Sequence, residues 1–268
     1  MKGTTLRRFT SPSSPELLTF LLEDPASNLF LIADLDQFGL DHPYLSYYGG
    51  YIGGELEGVF MVYYESGGLY WHDRAVLASF AELARERGVR FITGCRRQVN
   101  PLLEHFAPVE IASCDECIYC WLAPEDFRRA SHRLARKATL ADVEILTEFY
   151  AHNFGIVPLS RQEHRKRVTR RLENGTVYLI EKGGRVVSAA YSSVEGAGMA
   201  MIGGVATLEG ERNKGYATDC VNSLCADLLG RGFTPHLIYI VGNRPAARVY
   251  EKVGFRPIDR WLLVQLNL

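Results

Sequence analysis

Apolar residues recur at helical spacing in some stretches of this chain and alternate with polar ones in others. The switches between the two regimes divide it into elements. Helical spacing predicts a short helix over 15–22, and a second opened by Asp24 as N-cap with Pro25 at the first helical position. That second helix carries Leu29, Phe30, Ile32, Ala33 and Leu35 and stops near Gly39. Runs at 47–52, 56–64 and 69–72 are rich in aromatic and β-branched residues and separated by glycine pairs, which predicts three strands joined by hairpins. A helix over 76–87 with Leu77, Phe80, Leu83 and Ala84 on one face, a strand at 89–93, a helix at 99–106 and a long strand within 108–122 follow.

The stretch after Leu122 is polar and basic and contains Pro124. It divides the chain into an N-terminal α/β part at 1–125, a linker at 126–136 and a second part at 137–268. The second part opens with a strand end into a helix over 143–150 and a second helix over 161–172. Strands at 176–181, 185–193 and 198–207 come next, then a helix over 216–229 with Ala217, Val221, Leu224, Cys225 and Leu228 at helical spacing. A strand at 236–241, a helix at 245–253 and a strand at 255–266 complete it. Both parts follow one order: helix, helix, three strands, helix, strand, helix, strand. That order predicts a duplicated α/β unit whose sheet is mixed, because a meander precedes the alternating elements.

Composition narrows the class. The chain has 268 residues, is 47% hydrophobic and 23% charged, and carries a net charge of −1. Such a balance suits a folded protein with a full core and gives no global field toward nucleic acid or anionic membrane. No apolar run is long enough for a membrane span or a signal peptide, so the cytoplasm is the expected compartment. Cys114, Cys117 and Cys120 form C-x-x-C-x-x-C, a spacing that can hold zinc or an iron–sulfur cluster. Their segment reads as a strand, where residues three apart face opposite sides, so no metal is expected.

The segment from Val205 to Thr218 carries the chemistry. A strand ends, a loop rich in Gly and charge follows, and a helix begins. A helix start exposes unpaired N–H groups at the positive end of the macrodipole and binds phosphate directly. Gly215 permits close backbone approach, while Arg212 and Lys214 add positive charge at the rim. Neither G-x-x-x-x-G-K-[ST] nor G-x-G-x-x-G is present, so the anion is not held by a P-loop or a dinucleotide fingerprint.

Arg212-Asn213-Lys214-Gly215-Tyr216-Ala217 resembles the R/Q-x-x-G-x-G/A loop of the GNAT (GCN5-related N-acetyltransferase) superfamily. Asn243 to Phe255 is similar to that family's N-x-x-A-x-x-x-Y-x-x-x-G-F segment, and 138–142 looks like its usual opening. The resemblance covers roughly 136–268. It implies a GNAT acyl-CoA N-acyltransferase fold there, preceded by a smaller, degenerate GNAT-like α/β unit. By the same resemblance, acetyl-CoA is the acyl donor and a primary amine, on a small molecule or a protein, is the acceptor. Backbone groups of Val205, Ala206 and Thr207 would line the pantetheine arm, and the amides of Arg212, Asn213, Lys214, Gly215, Tyr216, Ala217 and Thr218 would hold the pyrophosphate. Asn243 would hydrogen-bond the arm, Ala246 would pack near it, and Tyr250 would lie by the sulfur. A phenol with pKa around 10 stays protonated and can supply a leaving thiolate with its proton.

The central strand, 198–205, lacks the carboxylate that some GNAT enzymes use as a base. Tyr191, Ser192 or a water chain is left for that task. Glu211 reads as a loop-shaping residue and Glu195 as a solvated turn residue. Basic runs at 128–137 and 164–171 read as solvated faces, and 154–172 is where acceptor specificity is expected. No R-x-x-G-x-A follows Trp71-His72-Asp73, so the N-terminal part is expected to have lost cofactor binding. No nucleic acid or membrane partner is expected, and a homodimer is left open. The alternatives are a non-catalytic acyl-CoA-binding protein, which the missing carboxylate motivates, and an aminoacyl-tRNA-dependent transferase, which the basic runs motivate.

Overall fold

A computed structural model describes residues 3–10, 15–130, 134–153 and 160–268. Its first elements are β1 (Thr4–Arg8), α1 (Pro15–Leu21), α2 (Leu29–Phe38), β2 (Leu45–Ile52), β3 (Glu55–Tyr63), β4 (Ser66–Trp71), α3 (Leu77–Glu86), β5 (Phe91–Cys95), α4 (Arg96–Leu103) and β6 (Ile111–Trp121). There follow β7 (Arg136–Lys137), α5 (Val143–Asn153), α6 (Arg161–Asn174), β8 (Val177–Lys182), β9 (Arg185–Gly196), β10 (Met199–Thr207), α7 (Tyr216–Gly230), β11 (Thr234–Ile240), α8 (Arg244–Val253) and β12 (Arg256–Leu266). The chain divides into two compact units, Met1–Tyr119 with Asp259–Leu268, and Cys120–Ile258.

In the first unit the strands lie in the order β1-β2-β3-β4-β5-β12-β6. β1 to β4 form an antiparallel meander, β4 and β5 run parallel, and β12 is antiparallel to β5. Its core gathers Phe60, Leu69, Leu77, Phe80, Ile92, Val99 and Leu102 with Leu262, Val264 and Leu266 of β12. Trp261, on the other face of β12, is buried against Phe30 and Tyr119 and donates its indole N–H to Thr93 Oγ1 at 2.6 Å. Sequence periodicity gives the strand at 255–266 but not the strand it pairs with; the structure assigns Asp259–Leu268 to the first unit.

The second unit orders its strands β11-β10-β9-β8-β7. β7 to β10 pair antiparallel, and β10 runs parallel to β11. Ala138, Leu146, Phe149, Tyr150 and Val168 from α5, α6 and the segment before them pack on Val177, Leu179, Val186 and Ala189. The turn into α5 is closed by Asp142, which accepts the Thr139 N–H at 2.8 Å and a two-pronged contact from Arg136 at 2.7 and 2.9 Å. Each unit thus presents two helices, a three-strand meander, a helix, a parallel strand and another helix, as the duplicated order predicts.

Two expectations change. α2 begins at Leu29, not at Pro25, because Asp24 closes a separate turn: it accepts the Ser27 N–H at 3.3 Å and is held by Arg97. Glu195 is not a solvated turn residue. It belongs to β9, its side chain is only 10% exposed, and it pairs with Arg231 at 2.7 Å while Ser192 donates to it. Arg231 also reaches Thr176 at 2.9 Å and Asp227 at 2.7 Å.

Burial pushes the Glu195 carboxyl upward, but Arg231, Ser192 and Thr176 outweigh it and hold the group below the usual glutamate range. A carboxyl lowered in the folded state adds stability above its unfolded pKa of about 4.3 and loses it as pH falls through the folded value. Replacing Arg231 with Met is therefore expected to destabilise the protein at neutral pH. The gap in urea midpoint between variant and wild type should narrow as pH falls through the folded-state value of Glu195, where the carboxyl takes a proton in both. A gap independent of pH would leave Arg231 with a packing role alone.

Candidate active site

The site is built where β10 and β11 part. Their parallel ladder runs from Met199↔Thr234 to Ile202↔Leu237 and stops, although β10 continues to Thr207 and β11 to Ile240. On its other side β10 shifts register against β9 between Gly203 and Ala206. Gly204 sits in that bulge with φ +56, and a Cβ there would come within 1.7 Å of Tyr191 Cε1. Only glycine satisfies both conditions.

Beyond the bulge the strand settles into regular pairing, Ala206↔Ala189 and Thr207↔Ser188, and Leu208 donates to Val187 at 2.9 Å. Backbone groups alternate sides along a strand, so Ala206 and Leu208 turn toward β9, whereas Val205 and Thr207 turn toward the opening beside β11. Arg212 Nε reaches the Thr207 carbonyl from that side at 3.5 Å.

After β10, a 3-10 turn at Glu209–Glu211 leads into the loop Arg212–Gly215 and then α7. Asn213 and Gly215 both adopt positive φ, +63 and +83, which curls successive N–H groups into a concave nest. Gly215 is the N-cap of α7 and offers no side chain to its first turn, so the amides that begin at Tyr216 stay available to an anion. A Cβ on Gly215 would meet nothing within 4 Å, because it faces open space.

Charge at this rim is more balanced than the sequence suggests. Lys214 and Lys182 both reach Glu211, at 3.0 and 3.5 Å, and Lys214 also reaches the Gly210 carbonyl at 3.2 Å. Lys214 above all, and Lys182 with it, hold the Glu211 carboxyl below its ordinary range. Lys182 lies over the buried Tyr216 ring at 4.7 Å. Ala217 and Thr218 complete the first turn, half-buried.

Across the opening stands α8. Asn243 caps it, its side chain accepting the Ala246 N–H at 3.2 Å, and Ala246 is the third residue of the helix, half-buried. Tyr250, 7% exposed, packs against Tyr239 of β11 and Phe255, with ring centroids 5.5 and 6.0 Å apart. Burial first, then Cys120, Tyr239 and Cys225, pushes its phenol well above the ordinary tyrosine range, so it stays protonated at neutral pH. Helix α8 ends on Gly254, φ +114, where a Cβ would press to 2.1 Å of the Asp126 carbonyl oxygen.

Sequence reasoning left Tyr191 and Ser192 as substitutes for a missing carboxylate, and the structure separates them. Ser192 is buried, accepts the Thr176 N–H at 2.7 Å and donates to Glu195. Tyr191 lies against Gly203 and Gly204 beside the opening. What the sequence missed is its company: Tyr150, buried in α5, meets Tyr191 edge-to-face at 5.7 Å and donates to the Gly204 carbonyl at 3.4 Å. Arg171 of α6 lies 4.2 Å over the Tyr191 ring and 5.2 Å over that of Tyr150. The glycine pair at 203–204, with no side chain of its own, was the available signal that another group would cover the strand.

The corresponding opening in the first unit is filled from within. The parallel β4–β5 ladder ends at Gly67↔Ile92, and the Trp71 N–H on the free part of β4 donates to Gln98 Oε1 at 3.1 Å. Gln98 is the third residue of α4, the place Ala246 takes in α8. The helix that follows β4 begins with Asp73, whose carboxylate accepts the Ala75 N–H at 2.9 Å where the second unit has bare glycine. Of the three cysteines on β6, Cys114 is exposed and Cys117 and Cys120 are buried. Burial lifts the Cys117 thiol to about 11 and the Cys120 thiol to about 12. Segment 154–159 of the expected specificity region lies outside the described residues.

A splayed parallel pair, a bulged central strand and a glycine-started helix define the GNAT fold in the second unit. Residues 143–255 match the Acetyltransferase (GNAT) family, so this unit carries a domain of that family. No curated protein matches the chain. Solved structures extend the likeness in fold to nearly the whole chain. A GCN5-related N-acetyltransferase from Sphaerobacter thermophilus aligns over 98% of this chain and 95% of its own, at 14% identity and TM-score 0.68. A GNAT-family acetyltransferase from Colwellia psychrerythraea aligns over 98% and 100%, at 13% identity and TM-score 0.63. A tandem GNAT protein from the clavulanic acid biosynthesis pathway aligns over 98% of both chains, at 13% identity and TM-score 0.62. Family and fold together support an acyl-transfer function. Among the described residues no helix is long and apolar enough to cross a membrane.

Proposed function

We propose that the second unit transfers the acetyl group of acetyl-CoA to a primary amine, the amine attacking directly with both substrates bound. One observation carries this reading: the opened edge of β10 leads, through a single 3-10 turn, into an uncapped helix start that carries two positive-φ residues. An edge with free amides suits an arm that itself contains amides, and a nest at a helix start suits a diphosphate. A thioester supplies an activated carbonyl and a leaving group that departs as thiolate.

The residues divide the work accordingly. Val205 and Thr207 hold the arm through their backbone, Ala206 between them keeps the strand on β9, and Asn243 and Ala246 border it from α8. Amides from Arg212 to Thr218 receive the phosphates. An attacking amine has pKa near ~10.4 and must lose a proton first. Ser192 is engaged with Glu195 and Thr176, so this proton passes to solvent, directly or relayed by the Tyr191 hydroxyl, which releases its own proton to water as it takes one. The Tyr250 hydroxyl, kept protonated by burial, holds the proton that the departing sulfur takes. With Gln98 and Asp73 occupying its counterpart, the first unit takes no cofactor, and one chain binds one acetyl-CoA.

The reading is tested by thiol release from acetyl-CoA across a panel of small amines and peptides, with the acetylated product identified by mass. Amine-dependent release supports it; binding without release from any amine leaves an acyl-CoA-binding protein. In the same assay Tyr250→Phe is expected to lower kcat by roughly 100- to 10,000-fold, the range of a lost general acid, with little change in acetyl-CoA affinity. An unaltered kcat would leave Tyr250 as a core residue.

A further inference from the structure

Arg171 stands apart from the other basic residues of its helix. Arg161 and Arg165 pair with Glu144 at the surface, and Arg167 and Arg170 are exposed. Arg171 is half-buried, and among the described residues no carboxylate lies within 4.0 Å of its guanidinium. Its neighbours are two aromatic faces, Tyr191 at 4.2 Å and Tyr150 at 5.2 Å. A guanidinium stacked on a ring keeps its N–H donors at its rim, where a planar acceptor can meet two of them. Stacking thus orients the group without satisfying its hydrogen bonds.

Its place in the unit gives those donors a purpose. Tyr191 covers Gly203 and Gly204, the bulge at which β10 leaves β11. Ser188 and Cys220 of α7 meet on one face of the sheet, whereas Ala189 and Tyr191 face α5 and α6 on the other. Among the described residues, the rings of Tyr191 and Tyr150 lie over the bulge on that second face, and Arg171 lies over both rings. The cation therefore lies over the ring that covers the bulge, beside the strand edge assigned to the arm and not at the helix start assigned to the phosphates.

We propose that Arg171 receives a carboxylate of the amine acceptor, so that the acceptor is a free amino acid or a similar small amine with an adjacent carboxylate, not a protein lysine. This rests on the reading of the second unit as an acetyl-CoA-dependent acyltransferase. Tyr191 and Tyr150 are positioning residues here, since their ring faces hold the guanidinium in place.

The experiment compares matched pairs. Free CoA is held at saturation as a dead-end partner, and the protein is titrated calorimetrically with common L-α-amino acids, each beside the amine that lacks its carboxylate, such as L-phenylalanine with 2-phenylethylamine and L-histidine with histamine. At least one amino acid should bind tenfold or more tighter than its twin, in keeping with a charge-assisted hydrogen bond. Arg171→Met should bring that amino acid down to the level of its twin, and Arg171→Lys should restore part of the difference. CoA affinity, measured alongside, reports that each variant is folded. Wild-type protein that binds CoA yet binds no amino acid better than its twin overturns the proposal. So does a preference that survives in Arg171→Met. Failure to bind CoA at all would instead remove the underlying functional reading, and this proposal with it.

Discussion

Gly215→Val is expected to leave the second unit folded and to weaken CoA binding by at least 100-fold. Two facts set this apart from an ordinary destabilising substitution. A Cβ at this position meets no protein atom within 4 Å, so the side chain displaces nothing in the fold. The backbone cost is that of a non-glycine residue at φ +83, roughly 1–3 kcal/mol, which a domain of ordinary stability tolerates. The isopropyl group would stand in front of the α7 amides, and a 100-fold loss corresponds to about 2.8 kcal/mol of binding. Gly210→Ala is the control, because Gly210 also faces open space but lacks a positive φ. Calorimetric CoA titration with a thermal melt of each variant checks the result. Unchanged affinity in Gly215→Val would move the phosphates away from α7.

Gly204→Ala should behave in the opposite way, damaging fold and activity together. A Cβ placed 1.7 Å from Tyr191 Cε1 cannot coexist with that ring, and φ +56 adds its own strain. Overpacking of about 1–3 kcal/mol and roughly 1–2 kcal/mol for the left-handed backbone sum to an expected loss of about 2–5 kcal/mol. Acetyl transfer should fall further than stability, since displacing Tyr191 disturbs the strand edge and the cation above it. Removing the ring tests the cause. In a Tyr191→Ala background the same glycine substitution should cost only the backbone strain, and chemical denaturation of the four proteins gives the coupling directly. Equal costs in both backgrounds would mean that the bulge, not the ring, demands glycine.

Much of the second unit was legible because its chemistry is local. The loop Arg212–Gly215, the helix after it and the Asn243 cap are short-range features, and the structure places them as contiguous pieces of one opening. The order of elements in both units was readable from hydrophobic spacing for the same reason. Long-range pairing was not. Nothing within 255–266 announces that Trp261 will sit opposite Cys95, because a strand's own residues specify its faces and not its neighbour. Glu195 misled for a related reason: its distance from Arg231 along the chain hides the ion pair that buries it. Arg171 was invisible among the charges of 164–171, since only the fold separates one unpaired cation over Tyr191 from neighbours that face solvent. Gln98 and Ala246 likewise share a helix position but gain meaning only once the parting strands beside them are seen.

The most direct test of the central claim is calorimetric titration of the whole chain with acetyl-CoA, with free CoA and NAD run in parallel. The two-unit account predicts saturable binding of acetyl-CoA and CoA, none of NAD, and a stoichiometry of one per chain, because α7 opens a site in the second unit that Asp73 and Gln98 fill in the first. Absence of CoA binding, or equal binding of NAD, would contradict it.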